Sequence, residues 1–201
     1  MIILSSPSGA GKSTLSRLLI KFDKNIKLSI SATTRPRRNN EVNGKDYHFI
    51  TKEKYKKMVK NHEFLETAEV FGNYYGSIQK TIQEMLNNGN DVLFDIDWQG
   101  AKQITEEVNP DNLLKIFILP PSLSELEKRL KRRAQDKKET IKLRMNKAKD
   151  EISHYDEYDY VIINDDLKEA FRTIQHIIES KRIFNTKKKG LKDFIDKIVS
   201  N

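Results

Sequence analysis

Apolar residues fall in short runs separated by stretches with helical spacing. Residues 2–5 (IILS) predict a buried strand, and residues 6–11 (SPSGAG) a turn. The segment 12–22 predicts a helix with Leu15, Leu18 and Leu19 on its core face. A second strand is expected at 27–31. Residues 32–50 are polar and irregular, with a strand at 47–50, and a helix follows at 51–61. Residues 64–76 are dense in aromatic and glycine residues and predict turns, and 77–87 predict a helix stopped by Gly89. Strands at 92–96, 114–119 and 160–163 then alternate with helices at 99–108, 139–154 and 167–184. Pro120-Pro121 ends the second of these strands, and Ser122-x-x-Glu125 is a capping box opening another helix. The tail 185–201 is expected to add one short helix.

Strands alternating with helices predict an α/β fold, a parallel sheet flanked by helices. Two stretches break the alternation. They divide the chain into a core (1–31, 81–126 and 146–201), an inserted lobe (32–80) and a lid (127–145).

Composition narrows the chemistry. The 201 residues include no cysteine, which excludes disulfides, a thiol nucleophile and Cys-ligated metal. Four scattered histidines make a His-rich metal site improbable. No window approaches 18 consecutive apolar residues, so no membrane partner is expected. The N-terminus lacks the pattern of a secretory leader, and a cytoplasmic location is expected. The net charge is +8, and residues 127–149 alone carry 11 Lys/Arg against 3 Asp/Glu. A block this local points to a local anionic partner rather than to nucleic acid along the whole surface.

Ser6-Pro7-Ser8-Gly9-Ala10-Gly11-Lys12-Ser13, followed by Thr14, lies between a predicted strand and a predicted helix. It fits the phosphate-loop pattern G-x-x-x-x-G-K-[ST], with Ser6 in place of the first glycine. Glycines let backbone N–H groups turn toward phosphate oxygens, and the helix N-terminus adds partial positive charge. Lys12 would reach the outer phosphates of ATP and Ser13 would coordinate Mg²⁺. Asp95, closing the run 91–95, is the candidate second Mg²⁺ anchor.

More specific motifs lie further along the chain: 29–38 (SISATTRPRR), 41–47 (EVNGKDY), 72–77 (GNYYGS), 95–100 (DIDWQG) and 161–166 (VIINDD). In their order and spacing the chain resembles the bacterial guanylate kinases over nearly its whole length. The resemblance implies a P-loop core, Mg²⁺, and transfer of the ATP γ-phosphate to GMP or dGMP. It matches Glu66 to the guanine carboxylate, Ser31 and Ser77 to hydroxyls facing O6, and Asp97 to a residue near the guanosine. Arg35, Arg38, Tyr47 and Tyr75 would hold the GMP phosphate. Arg129, Arg133 and Arg144 would contact the transferring phosphates, and Asn164 would lie near adenine. Where the family commonly has an Arg-Gly pair in the lid, this chain has Arg133-Ala134, and Leu143 stands where a further arginine is frequent. Chemistry supports the carboxylate assignment, because guanine offers donors at N1 and N2, and adenine has no N1 proton. Rival readings are a silent interaction module, a kinase of another nucleoside monophosphate and a nucleic-acid binder. The assembly is expected to be a monomer or a homodimer.

Overall fold

The fold is described from a computed structural model, which covers the backbone of residues 1–132 and 138–200 and their side chains except 138–140 and 185–193. Strands β1 (Ile2–Ser5), β2 (Ile26–Leu28), β7 (Asp91–Asp95), β8 (Leu114–Leu119) and β9 (Tyr160–Ile163) form one parallel sheet in the order β2-β7-β1-β8-β9. Central β1 pairs with β7 on one side and β8 on the other. Its side chains alternate between two cores. Ile2 and Leu4 pack with Leu15 and Leu19 of α1 (Lys12–Phe22) and Ile174 and Ile178 of α7 (Leu167–Val199). Ile3 packs on the opposite face with Ile82 of α3 (Gln79–Asn87), Phe94, and Ile104 of α4 (Trp98–Glu107). Burial on both faces explains why the inner strands β1, β7 and β8 read as apolar runs, whereas edge strand β9 exposes Tyr160, Val161 and Ile163.

The interrupting segment forms a second sheet. It contains β3 (Ala32–Thr33), β4 (His48–Phe49), β5 (Phe64–Val70) and β6 (Asn73–Ile78) in the order β4-β3-β6-β5, with α2 (Lys52–Lys60) alongside. Here the turn-rich expectation for 64–76 is corrected. It is an antiparallel hairpin closed at Phe71-Gly72, both at positive φ (50° and 73°), the backbone of a type I′ turn. The alternation was masked because Glu66 points inward with Ala68, so a charged residue occupies a core-facing position. Ser77 and Ile78 close β6 instead of opening α3. The strand expected at 27–31 is split, since the chain leaves the first sheet after Leu28 and enters the second at Ala32.

The predicted strands at 114–119 and 160–163 fall where they are observed. The Ser122 hydroxyl accepts from the Glu125 N–H at 3.1 Å at the start of α5 (Leu123–Arg132). Helix α6 (Lys138–Ser153) packs on α5 through Leu126, Leu130 and Ala148. The tail forms no separate helix, because α7 runs unbroken to Val199. A lone glycine at 190 costs only about 1 kcal/mol against alanine, too little to break a lysine-rich helix.

Candidate active site

The phosphate loop occupies the C-terminal end of β1 and delivers the chain into α1. Gly9 and Gly11 have φ of 102° and 108°, the left-handed region that side chains disfavour. Gly11 also has no room for a side chain, since a Cβ there would meet Asn164 Nδ2. Ser6 is not at positive φ, so serine replaces the pattern's first glycine without backbone strain. Lys12 forms an ion pair with Asp95 Oδ1, and Ser16 donates to Asp95 Oδ2 at 3.3 Å.

A cleft of about 220 Å³ runs from this loop to the second sheet. At the loop end it is lined by Ser6, Ser8, Gly9, Gly11, Lys12, Ser13 and Asp95. At the far end it is lined by Ser31, Tyr47, Glu66, Tyr75 and Asp97. One concavity therefore joins two groups of expected residues that lie far apart in sequence. Pro7 and Ala10 are buried beneath the loop, and Thr14 is exposed on α1 outside the cleft lining.

Glu66 is 3% exposed, and its Oε1 accepts from the Ser77 hydroxyl at 2.7 Å. Burial pushes its carboxyl up to about 7. The nearby charge of Asp97 adds to that rise, and the Ser77 hydrogen bonds oppose it. Asp97 caps α4: Oδ1 accepts from the Gly100 N–H and Oδ2 from Gln99 Nε2, both at 3.1 Å. The Tyr47 and Tyr75 rings meet edge-on with centroids 5.9 Å apart, and burial raises the Tyr47 phenol well above its usual range.

Arg35 lies over the Tyr47 ring at 5.4 Å and forms a fork with Glu41, at 2.7 and 3.1 Å. Burial pushes the Glu41 carboxyl up, but its bonds to Arg35 and to the Arg38 N–H outweigh this and hold it below the usual range. The Arg38 guanidinium lies 3.9 Å from Glu41. Neither arginine lines the cleft; both pair with Glu41, and Arg35 lies over Tyr47, which does line it.

The basic block reaches the phosphate loop from the other side. Arg129 donates to Glu125 at 3.1 Å and lies 3.5 Å from the Ala10 carbonyl. Arg144 lies 3.4 Å from the Ser8 hydroxyl. Arg133, with Ala134, is outside the described residues. Asn164, expected near adenine, donates its amide to the Ala10 carbonyl at 2.7 Å and is buried, outside the cleft lining. In this structure it supports the loop.

Sequence reasoning missed Glu151 and Phe71, which also line the cleft. Glu151 of α6 accepts from the Ser8 N–H at 3.1 Å, and burial raises its carboxyl. In the sequence it is one acid in a lysine-rich helix, with nothing to mark it. Phe71 at the hairpin tip lies 4.5 Å from the Lys147 ammonium.

A strand, a glycine loop and a helix that starts at lysine, with a carboxylate at the end of the adjacent strand, define a P-loop nucleotide-binding protein. The family model described as Guanylate kinase matches residues 1–181. A guanylate kinase of Paramagnetospirillum magneticum is 50% identical over 198 residues, 98% of this chain and 92% of that protein. One from a Ruegeria species is 54% identical over 183 residues, 91% and 84% of the two chains. The crystal structure of guanylate kinase from Anaplasma phagocytophilum superposes with a TM-score of 0.74 at 38% identity, covering 90% of this chain and 85% of that one. The chain belongs to the guanylate kinase family.

Proposed function

We propose that the protein transfers the γ-phosphoryl group of ATP to GMP, and to dGMP, giving ADP and the guanosine diphosphate. The observation carrying this reading is one cleft with the phosphate loop at one end and the buried carboxylate of Glu66 at the other, held by the Ser77 hydroxyl, which is itself outside the cleft lining. Ionised Glu66 accepts from guanine N1–H and N2–H, and the Ser31 hydroxyl donates to O6, as does that of Ser77 once its one O–H turns from Glu66. Adenine would leave this buried carboxylate mispaired, which costs a few kcal/mol. Asp97 borders the guanosine. Arg35, Arg38, Tyr47 and Tyr75 hold the GMP phosphate, and the arginines supply planar donors suited to its oxygens.

The donor phosphates rest on the backbone of residues 6–14 with Lys12. The Ser13 hydroxyl and the Asp95 carboxylate supply oxygen ligands of the kind Mg²⁺ takes beside substrate phosphates. Among the described residues there is no cluster of three or more acidic, histidine or cysteine side chains, so substrate and water oxygens would complete such a site. Bound there, Mg²⁺ supplies positive charge to the phosphate oxygens. The attacking GMP oxygen is already ionised near neutral pH, so no protein base is needed. Catalysis is then positioning and charge neutralisation by Lys12, Arg129, Arg133 and Arg144. Closure of the 32–80 lobe and the 127–145 lid over the core would exclude water that otherwise hydrolyses ATP.

No helix among the described residues is long and apolar enough to cross a membrane. We infer a cytoplasmic enzyme, acting as a monomer or homodimer on small-molecule substrates rather than nucleic acid. The test is equilibrium titration with GMP and AMP of the wild-type protein and Glu66→Ala. Tight GMP binding that the substitution removes supports the reading. Equal affinity for the two nucleotides overturns it.

A further inference from the structure

Glu66 stands on β5, an edge strand of the second sheet, paired among the described residues with β6 alone. An edge strand turns backbone N–H and C=O groups to its open side. At Thr67, next to Glu66, both groups are taken by one side chain. Gln103 of α4 accepts from the Thr67 N–H at 3.0 Å and donates to the Thr67 carbonyl at 2.7 Å. Those are the two bonds that a residue of a neighbouring strand would exchange. One turn earlier on α4, Gly100 leaves the space that the carboxylate fills. A Cβ there would lie 2.6 Å from Glu66 Oε2, well inside contact distance. Neither Gln103 nor Gly100 lines the cleft.

We propose that Gln103 and Gly100 are positioning residues for base selectivity. Gln103 fixes β5 against α4, and Gly100 provides the seat in which the Glu66 carboxylate meets the acceptor base. This rests on the reading of Glu66 as the guanine carboxylate. The Gln103 amide is suited to the task because it satisfies the backbone donor and the backbone acceptor of one residue, and so resists both sliding and lifting of the strand. Gly100 acts by volume, because a methyl group on the helix backbone would displace the carboxylate while the Ser77 hydroxyl stayed in place.

The experiment uses Gln103→Leu and Gly100→Ala, each alone and each combined with Glu66→Ala. Steady-state kcat/KM for GMP, KM for ATP and a melting curve are measured for every variant. Each single substitution is expected to lower kcat/KM for GMP about tenfold while leaving KM for ATP within about twofold. In the Glu66→Ala background the same substitutions are expected to change kcat/KM for GMP less than about twofold, since the group they position is gone. Full additivity in that background, or an equal rise in both KM values, overturns the proposal and makes the contacts general packing. If Glu66→Ala alone leaves kcat/KM for GMP unchanged, the reading of Glu66 fails first and the proposal with it. If Gln103→Leu does not fold, Gly100→Ala carries the same comparison.

Discussion

Replacing Glu66 by glutamine should make the ligand-free protein more stable at alkaline pH while damaging GMP recognition. The folded-state carboxyl is raised from an ordinary 4.5 to about 7 by burial. A raised carboxyl contributes stability that is fully present below the unfolded pKa and lost as pH rises through the folded value. Ionising Glu66 in the empty site therefore opposes folding between pH 4.5 and about 7. A shift of this size corresponds to roughly 3 kcal/mol in full, of which about 2 kcal/mol is lost between about pH 5.5 and pH 8. In a domain of this size that is roughly 4–8 °C in Tm. Glutamine mimics the neutral acid and cannot ionise. Thermal melts without nucleotide, near pH 5.5 and near pH 8, should thus show the wild type losing stability relative to Glu66→Gln. GMP should show the complementary behaviour, because it needs the ionised form. Its dissociation constant should weaken about tenfold from pH 8 to pH 6 in the wild type, beyond any change in Glu66→Gln. Comparing the two proteins removes the titration of the GMP phosphate, which is common to both. Parallel melting curves at the two pH values would refute the reasoning.

Other predictions concern the donor side and the scaffold. Lys12→Ala should abolish phosphoryl transfer in a steady-state assay while GMP still binds by titration, since Lys12 acts at the phosphate loop. Arg144→Ala should lower kcat by about 100-fold with a smaller change in KM for GMP, as expected for a contact strongest in the transition state; a pure KM effect would contradict that role. Arg182 joins Asp23 at 2.6 Å and Asp91 at 2.6 Å, tying α7 to the chain after α1 and to β7. Arg182→Ala should destabilise the fold by about 1–2 kcal/mol in urea melts, the partial exposure of all three groups limiting the loss, and should leave KM for both substrates unchanged.

The parts of the fold that could be read from sequence are those whose signals are local. The phosphate loop, the strands at 114–119 and 160–163 and the Ser122 cap each carry their own punctuation and burial pattern. The hairpin at 64–78 was obscured because Glu66 stands where a strand pattern requires an apolar residue. Ser31, Glu66 and Ser77 were found through resemblance to a family. Nothing local marks them, since the Glu66–Ser77 bond spans two strands and both residues are ordinary surface types. Asn164 was located by the same resemblance, but its hydrogen bond to Ala10 spans 154 positions and only the fold discloses it. Gln103 and Glu151 have no sequence signal at all. Each acts on backbone groups of another element, which any residue type except proline at that other position could present.

The most direct test of the account is ADP formation from ATP and Mg²⁺ with GMP, AMP, dTMP or no acceptor, with Lys12→Ala as control. The account predicts strong turnover with GMP, little with the other acceptors, and none in the control. A folded protein that binds GMP yet forms no ADP in its presence would contradict it and leave a recognition module built on a kinase fold.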